Sequence, residues 1–189
     1  LRLVPLPGRA RGGLIYFDHL DHVGRATQKL LELSPSMLEI IERQIIDLAR
    51  KQKAEMRPYL PEGTEALLFV EFEEEDGEGP PHKFIEAERL LVQQEKLATS
   101  VKVARNEEET AMFEKVRSIS GPILNKAKGP KRPLAFVEDA AVHPSLLSRY
   151  IMGLREIFRK AEVEASIYGH AGDGNLHLMV FLDLRKDSE

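Results

Sequence analysis

The sequence predicts an α+β domain, laid out as a duplicated split strand–helix–strand arrangement with helices packed against a sheet. Three observations point there. Short β-rich apolar runs alternate with stretches whose apolar residues recur every three or four positions. A helix separates most neighbouring strands. The last two strands are joined by a short glycine-rich turn instead. No sequence repeat is strong enough to make the two halves homologous.

Residues 1–12, with Pro5 and Pro7, are expected to form a leading linker, and the domain is expected to occupy residues 13–189. Leu14-Ile15-Tyr16-Phe17 is a first strand, and Asp18 stands where a helix cap is wanted. Leu20, Val23, Ala26, Leu30 and Leu31 keep helical spacing until Ser34-Pro35. Met37 to Arg50 is read as a second helix with extended first residues, its buried side marked by Ile41, Ile45 and Ile46. Glu65 to Phe72 has the continuous apolar centre of a strand buried on both faces, and Glu73 to Pro81 is a solvated acidic loop. A helix over Lys83 to Leu97 and a strand over Ser100 to Ala104 follow. Asn106 and Glu109 have the spacing of a capping box, opening a helix from Glu107 to about Ser120. Leu134 to Val137 is an apolar strand running into Glu138-Asp139. Pro144 suits a helix start, with Leu147, Tyr150, Ile151, Leu154 and Phe158 as its apolar stripe. Strands over Ala165 to Tyr168 and Leu176 to Leu184 close the chain.

The composition bounds the function. At 189 residues, 42% hydrophobic and 31% charged, the chain has room for one sizeable core. A net charge of −4 argues against a nucleic-acid partner held by bulk electrostatics. With no cysteine there is no thiolate nucleophile, disulfide or iron–sulfur ligation within this stretch. Neither a GxxxxGK[ST] phosphate loop nor a GxGxxG after a strand is present. The chain starts on Leu1 and ends directly after a strand, and both ends are expected to be cuts in a longer polypeptide.

The chemistry concentrates in Tyr168-Gly169-His170-Ala171-Gly172-Asp173-Gly174-Asn175-Leu176-His177. Gly172 and Gly174 permit a tight reversal and a close backbone approach to a ligand. In the strand that follows, alternation puts Asn175 and His177 on one face, and the reversal brings His170 towards it. Two imidazoles suit zinc, iron or manganese, and a third ligand would be needed. Glu138 and Asp139, at a strand end, are carboxylate candidates, with a helix-entry cap as their equal alternative. Asp173 is expected to bond its own backbone rather than a metal. Arg117 carries the guanidinium fork a carboxylate substrate needs, on a helix with an apolar opposite face, where a solvated arginine is the commoner role. His19, His22, His82 and His143 read as surface residues.

Gly169-His170-Ala171-Gly172-Asp173-Gly174-Asn175-Leu176-His177 resembles the signature of the C-terminal, or cap, domain of FAD-linked oxidases. That group includes glycolate oxidase catalytic subunits, D-lactate dehydrogenases and D-2-hydroxyglutarate dehydrogenases. Phe136 to Val142 is similar to the family's second marker and lies the expected distance upstream. The resemblance implies a largely antiparallel sheet over the flavin, holding the carboxylate and hydroxyl of a 2-hydroxy acid. It implies His170 and His177 as ligands of a divalent metal (Zn, Mn or Fe), Asn175 and Arg117 as substrate contacts, and Gly172 and Gly174 at the cofactor. Where the family carries an aromatic residue three before the arginine, this chain has Glu114. The FAD-binding domain is absent from the chain. So is the downstream Ser-x-x-Glu-His-Gly segment, which in the family supplies the third metal ligand and a histidine proposed as base.

The expectation is a substrate-binding cap that is inactive alone. In the parent, a hydride would pass to flavin N5, and an iron–sulfur domain or subunit is a candidate onward acceptor. A cytoplasmic location is expected, with partner subunits as the route to any membrane association. The rival readings are a metal-dependent hydrolase using the two histidines and a non-catalytic assembly module of the same fold.

Overall fold

The computed structural model describes residues 9–74, 82–126, 129–137 and 139–186. Strand β1 (Arg9–Phe17) leads to helix α1 (Leu20–Leu31), strand β2 (Met37–Glu42) and helix α2 (Arg43–Gln52). Strand β3 (Ala66–Glu74), helix α3 (His82–Glu88, prolonged by a π-helical turn over Arg89–Gln94) and strand β4 (Ser100–Val103) complete the first half. Helices α4 (Glu107–Ser118) and α5 (Ser120–Leu124) link to strands β5 (Arg132–Leu134) and β6 (Ala140–Ala141). Helix α6 (Leu147–Lys160) and strands β7 (Glu164–His170) and β8 (Asn175–Leu182) follow.

All the pairings are antiparallel, in the order β4-β1-β3-β2-β7-β8-β5, with β6 also on β8. The first half is a split βαβ unit, β4-β1-β3-β2, into which α2 is inserted between β2 and β3. In the second half β5, α6, β7 and β8 repeat that plan, since β7-β8-β5 is the counterpart of β2-β3-β1. The halves meet where Ile40 and Ile41 of β2 pair with Gly169 and Tyr168 of β7.

Alternation along the strands divides the core in two. Ile15, Phe17, Leu38, Ile40, Leu68 and Ile167 pack against α1, α3 and α6 on one face. Leu14, Tyr16, Ile41, Leu67, Phe69 and Met179 pack against α2, α4 and α5 on the other. Each such side chain, when fully buried, contributes about 1.5–3 kcal/mol. No helix among the described residues is long and apolar enough to cross a membrane.

Several expectations need correction. The extended start expected for Met37 to Arg50 is a full six-residue strand, Met37–Glu42, and the helix begins only at Arg43: Leu38 and Ile40 fill the α1 side of the sheet while Ile41 faces α2. Strand β1 begins at Arg9, because Arg9 to Gly13 pair with Glu74 to Val70. The cap of α1 is His19, whose side chain makes no capping bond, and not Asp18. The apolar run Leu134 to Val137 leaves the sheet after Leu134, so Phe136 and Val137 are exposed, at 64% and 40%. Glu138 and the acidic stretch 75–81 lie outside the described residues. The capping box is as expected at its first bond: Glu109 N–H donates to Asn106 Oδ1 at 2.9 Å. The Glu109 carboxylate instead accepts from the Arg105 backbone N–H (2.9 Å) and from the Arg105 guanidinium.

Candidate functional site

The face under α2, α4 and α5 carries the polar cluster. His170 lies opposite Asn175, and Tyr168 lies opposite His177, in the β7–β8 ladder. Odd-numbered β8 residues 175, 177 and 179 share the Met179 side, and even-numbered β7 residues share the Tyr168 side. Tyr168, His170, Asn175 and His177 therefore stand on one face. The rings of His170 and His177 are 5.3 Å apart between centroids and nearly perpendicular at 83°. Tyr168 leans on His177 from the other side, again at 5.3 Å.

The turn that makes this possible is closed by backbone. Gly174 N–H donates to the Ala171 carbonyl at 3.1 Å. Gly174 takes φ +70°, and a side-chain carbon there would lie 1.9 Å from the Val142 carbonyl oxygen. Gly172 packs against Leu38, whose Cβ is 3.2 Å from the corresponding position. Both glycines thus have a visible reason in the chain's own packing. Asp173 is exposed.

Two carboxylates anchor the cluster. Glu39, from β2, accepts from or pairs with His170 Nδ1 at 2.7 Å, with only 14% of its side chain exposed. Asp139 Oδ1 accepts from Asn175 Nδ2 at 2.9 Å. Asp139 sits at φ +63°, a left-handed conformation that aspartate tolerates better than most residues. One oxygen of its carboxylate is thereby engaged with the carboxamide. Among the described residues no group of three or more histidine and carboxylate side chains is disposed to hold a metal ion. The two imidazoles fit as a pair of ligands, and a third would have to come from elsewhere.

Arg117 joins the same face from above. It follows the buried Phe113 and Val116 of α4, and its guanidinium lies over the Phe69 ring at 5.9 Å. Phe69 is the register partner of Glu39, so Arg117, Phe69, Glu39 and His170 form a continuous row across the sheet. Arg117 Nε donates to Glu114 at 2.8 Å, with both side chains about one-third exposed (32% and 37%). Glu114 thus occupies the fork from one side.

Sequence reasoning missed Glu39, because its partner lies 131 residues away. The only signal available was a glutamate amid Leu38, Ile40 and Ile41, out of place in an apolar run. In a separate cleft of about 700 Å³ between α2 and α6, Glu42 pairs with Arg155 and Arg43 with Glu65, while Gln44 donates a hydrogen bond to Glu164. It holds no histidine.

Comparison with known proteins places the chain in a family and matches its fold. The family described as FAD linked oxidases, C-terminal domain, matches residues 6–189. Glycolate oxidase subunit GlcD of Bacillus subtilis is 26% identical over 194 residues, covering 100% of this chain and 38% of that protein. A D-lactate dehydrogenase of Archaeoglobus fulgidus is 29% identical, covering 85% of this chain and 32% of its own length. A D-2-hydroxyglutarate dehydrogenase of Pantoea ananatis is 25% identical, over 97% of this chain and 19% of its own length. The chain therefore spans well under half of these relatives. Among solved structures, 4-ethylphenol oxidase from Gulosibacter chungangensis superposes with a TM-score of 0.58 at 9% identity, over 100% of this chain and 42% of that one. p-Cresol methylhydroxylase gives 0.57 at 10% identity, over 96% of this chain and 40% of that one. These two likenesses show the fold.

Proposed function

Because the chain belongs to the family of FAD linked oxidases, C-terminal domain, we propose that it is the substrate-binding cap of an FAD-dependent 2-hydroxy-acid oxidase or dehydrogenase. The proposed substrates are of the glycolate or D-lactate type. The observation that carries this reading is the gathering of Arg117, His170, Asn175 and His177 on one sheet face from three separate elements. Relatives named for glycolate, D-lactate and D-2-hydroxyglutarate share a 2-hydroxy carboxylate, which needs one anion-binding group and one partner for a hydroxyl.

Each residue has a task that its geometry supports. The Arg117 fork binds the carboxylate with the amino groups not engaged by Glu114. Asn175, its Nδ2 committed to Asp139, presents its carbonyl oxygen as acceptor for the substrate hydroxyl. His170 and His177 would hold a divalent metal, together with a third ligand outside the described residues, and the metal would polarise the hydroxyl oxygen. FAD, when bound by the remainder of the parent polypeptide, supplies at N5 the acceptor for the hydride leaving the substrate's α-carbon. The hydroxyl proton would leave in the same oxidation to a base supplied by the remainder of the parent, giving a 2-oxo acid. Gly172 and Gly174 keep the turn backbone narrow on the side assigned to the flavin. Phe136 and Val137, shortly before Asp139 in sequence, are exposed and offer an apolar surface suited to contact with another domain. An iron–sulfur domain or subunit as onward acceptor completes the proposal; with no cysteine in this chain, its cluster would be ligated elsewhere.

The test is to purify the chain, record its visible spectrum, and assay D-lactate, glycolate and D-2-hydroxyglutarate oxidation with an artificial acceptor. The expected result is no flavin absorbance and no turnover from the chain, and turnover from the parent. Turnover by the chain alone would overturn the cap assignment.

A further inference from the structure

We propose that Glu39 is the positioning residue of His170, fixing which ring nitrogen carries the proton and which faces the site. The inference deepens the proposed function and rests on it for the purpose of the site, though not for the ring assignment itself.

The geometry is specific. Glu39 Oε1 lies 2.7 Å from His170 Nδ1. A carboxylate only accepts, so the shared hydrogen belongs to Nδ1, and in the neutral ring Nε2 keeps the lone pair. The contact is set by the sheet. Ile40 pairs with Gly169 and Ile41 with Tyr168, and continuing that antiparallel register brings Glu39 opposite His170. β7 lies between β2 and β8, so pinning Nδ1 on the β2 side leaves Nε2 on the side away from β2, where His177 stands.

Glu39 is well placed to be rigid. Its side chain is 14% exposed against 50% for His170, and the neighbouring Leu38 and Ile40 are buried in the opposite core. A half-exposed histidine on its own would rotate and sample both tautomers. Carboxylate partners that hold the far nitrogen of a metal-binding or acid–base histidine do this job widely. The remaining carboxylate beside the cluster, Asp139, faces Asn175 instead, so the two acids orient two different site residues.

The experiment is side-chain nitrogen NMR of the purified chain, labelled at histidine, above the ordinary titration range near about 6.5. In the unsubstituted chain His170 is expected to show a protonated Nδ1 and a lone-pair Nε2. In Glu39→Ala the pattern is expected to shift towards protonated Nε2, the form a free imidazole prefers, while His143 stays unchanged. Glu39→Gln, closer in shape, serves if the alanine variant does not fold, and is expected to weaken the Nδ1 bias. A His170 signature that is the same with and without the carboxylate would overturn the proposal. So would a protonated Nε2 in the unsubstituted chain. Titration with Zn²⁺ alone reads the underlying site separately. Glu39→Ala is expected to weaken zinc binding by about 10–100-fold. An unsubstituted chain that ignores Zn²⁺ would remove the metal reading, while the nitrogen shifts still decide the role of Glu39.

Discussion

Gly174 sits at φ +70°, with the place of a side-chain carbon 1.9 Å from the Val142 carbonyl oxygen. Any substitution must both adopt a left-handed backbone and displace the segment that carries Asp139. Gly174→Ala is expected to cost about 2–4 kcal/mol, from backbone strain plus overpacking, measured by urea unfolding. A change under about 0.5 kcal/mol, the ordinary scatter of surface substitutions, would show that this turn does not fix the site. The residues of the site differ in how far the sequence revealed them. His170, Asn175 and His177 lie within eight positions, and strand alternation was enough to place Asn175 and His177 on one face. Glu39 and Asp139 reach the cluster through pairings 131 and 36 residues long, which local pattern does not encode. Glu114 replaces an expected aromatic residue, and only the structure shows it holding Arg117.

Among elements, α4 and α6 carry the ion pairs that matter. Burial pushes the Glu42 carboxyl up, while the Ile167 N–H and Arg155 pull it down. Arg155 is half exposed, so its loss is expected to cost only about 1–3 kcal/mol, the price of an under-satisfied buried acceptor. Glu42→Gln keeps the bond from the Ile167 N–H and is expected to cost less than Arg155→Ala in the same urea series; the reverse order would contradict this. At the start of α4, hydrogen bonds from Arg105 hold the Glu109 carboxyl down at about 2. Its contribution is fully present above the ordinary 4.5 and is lost as pH falls through about 2. Thermal melts across that window are expected to show a shallower loss for Glu109→Gln than for the unsubstituted chain, and parallel curves would contradict the assignment. This cap was legible because it is local. β2 was legible only as an extended start to a helix, and pairing with β3 and β7 is what makes all six of its residues strand.

For the whole molecule, the duplicated split βαβ plan was readable from the order of elements, because alternating periods of two and three-to-four survive without knowledge of pairing. The strand order that brings β2 against β7 was not, and it is this junction that puts Glu39 beside His170 and aligns Arg117 with both. The face is built from both halves, so its chemistry depends on the entire sheet being intact. The most direct measurement is steady-state oxidation of a 2-hydroxy acid by the parent protein carrying His177→Ala, with FAD content and melting temperature checked alongside. A fall in kcat/KM of about 100-fold or more is expected, with flavin content unchanged and His143→Ala close to the unsubstituted enzyme. Activity within about threefold of the unsubstituted protein, a barrier change under 1 kcal/mol, would contradict a substrate site on this face.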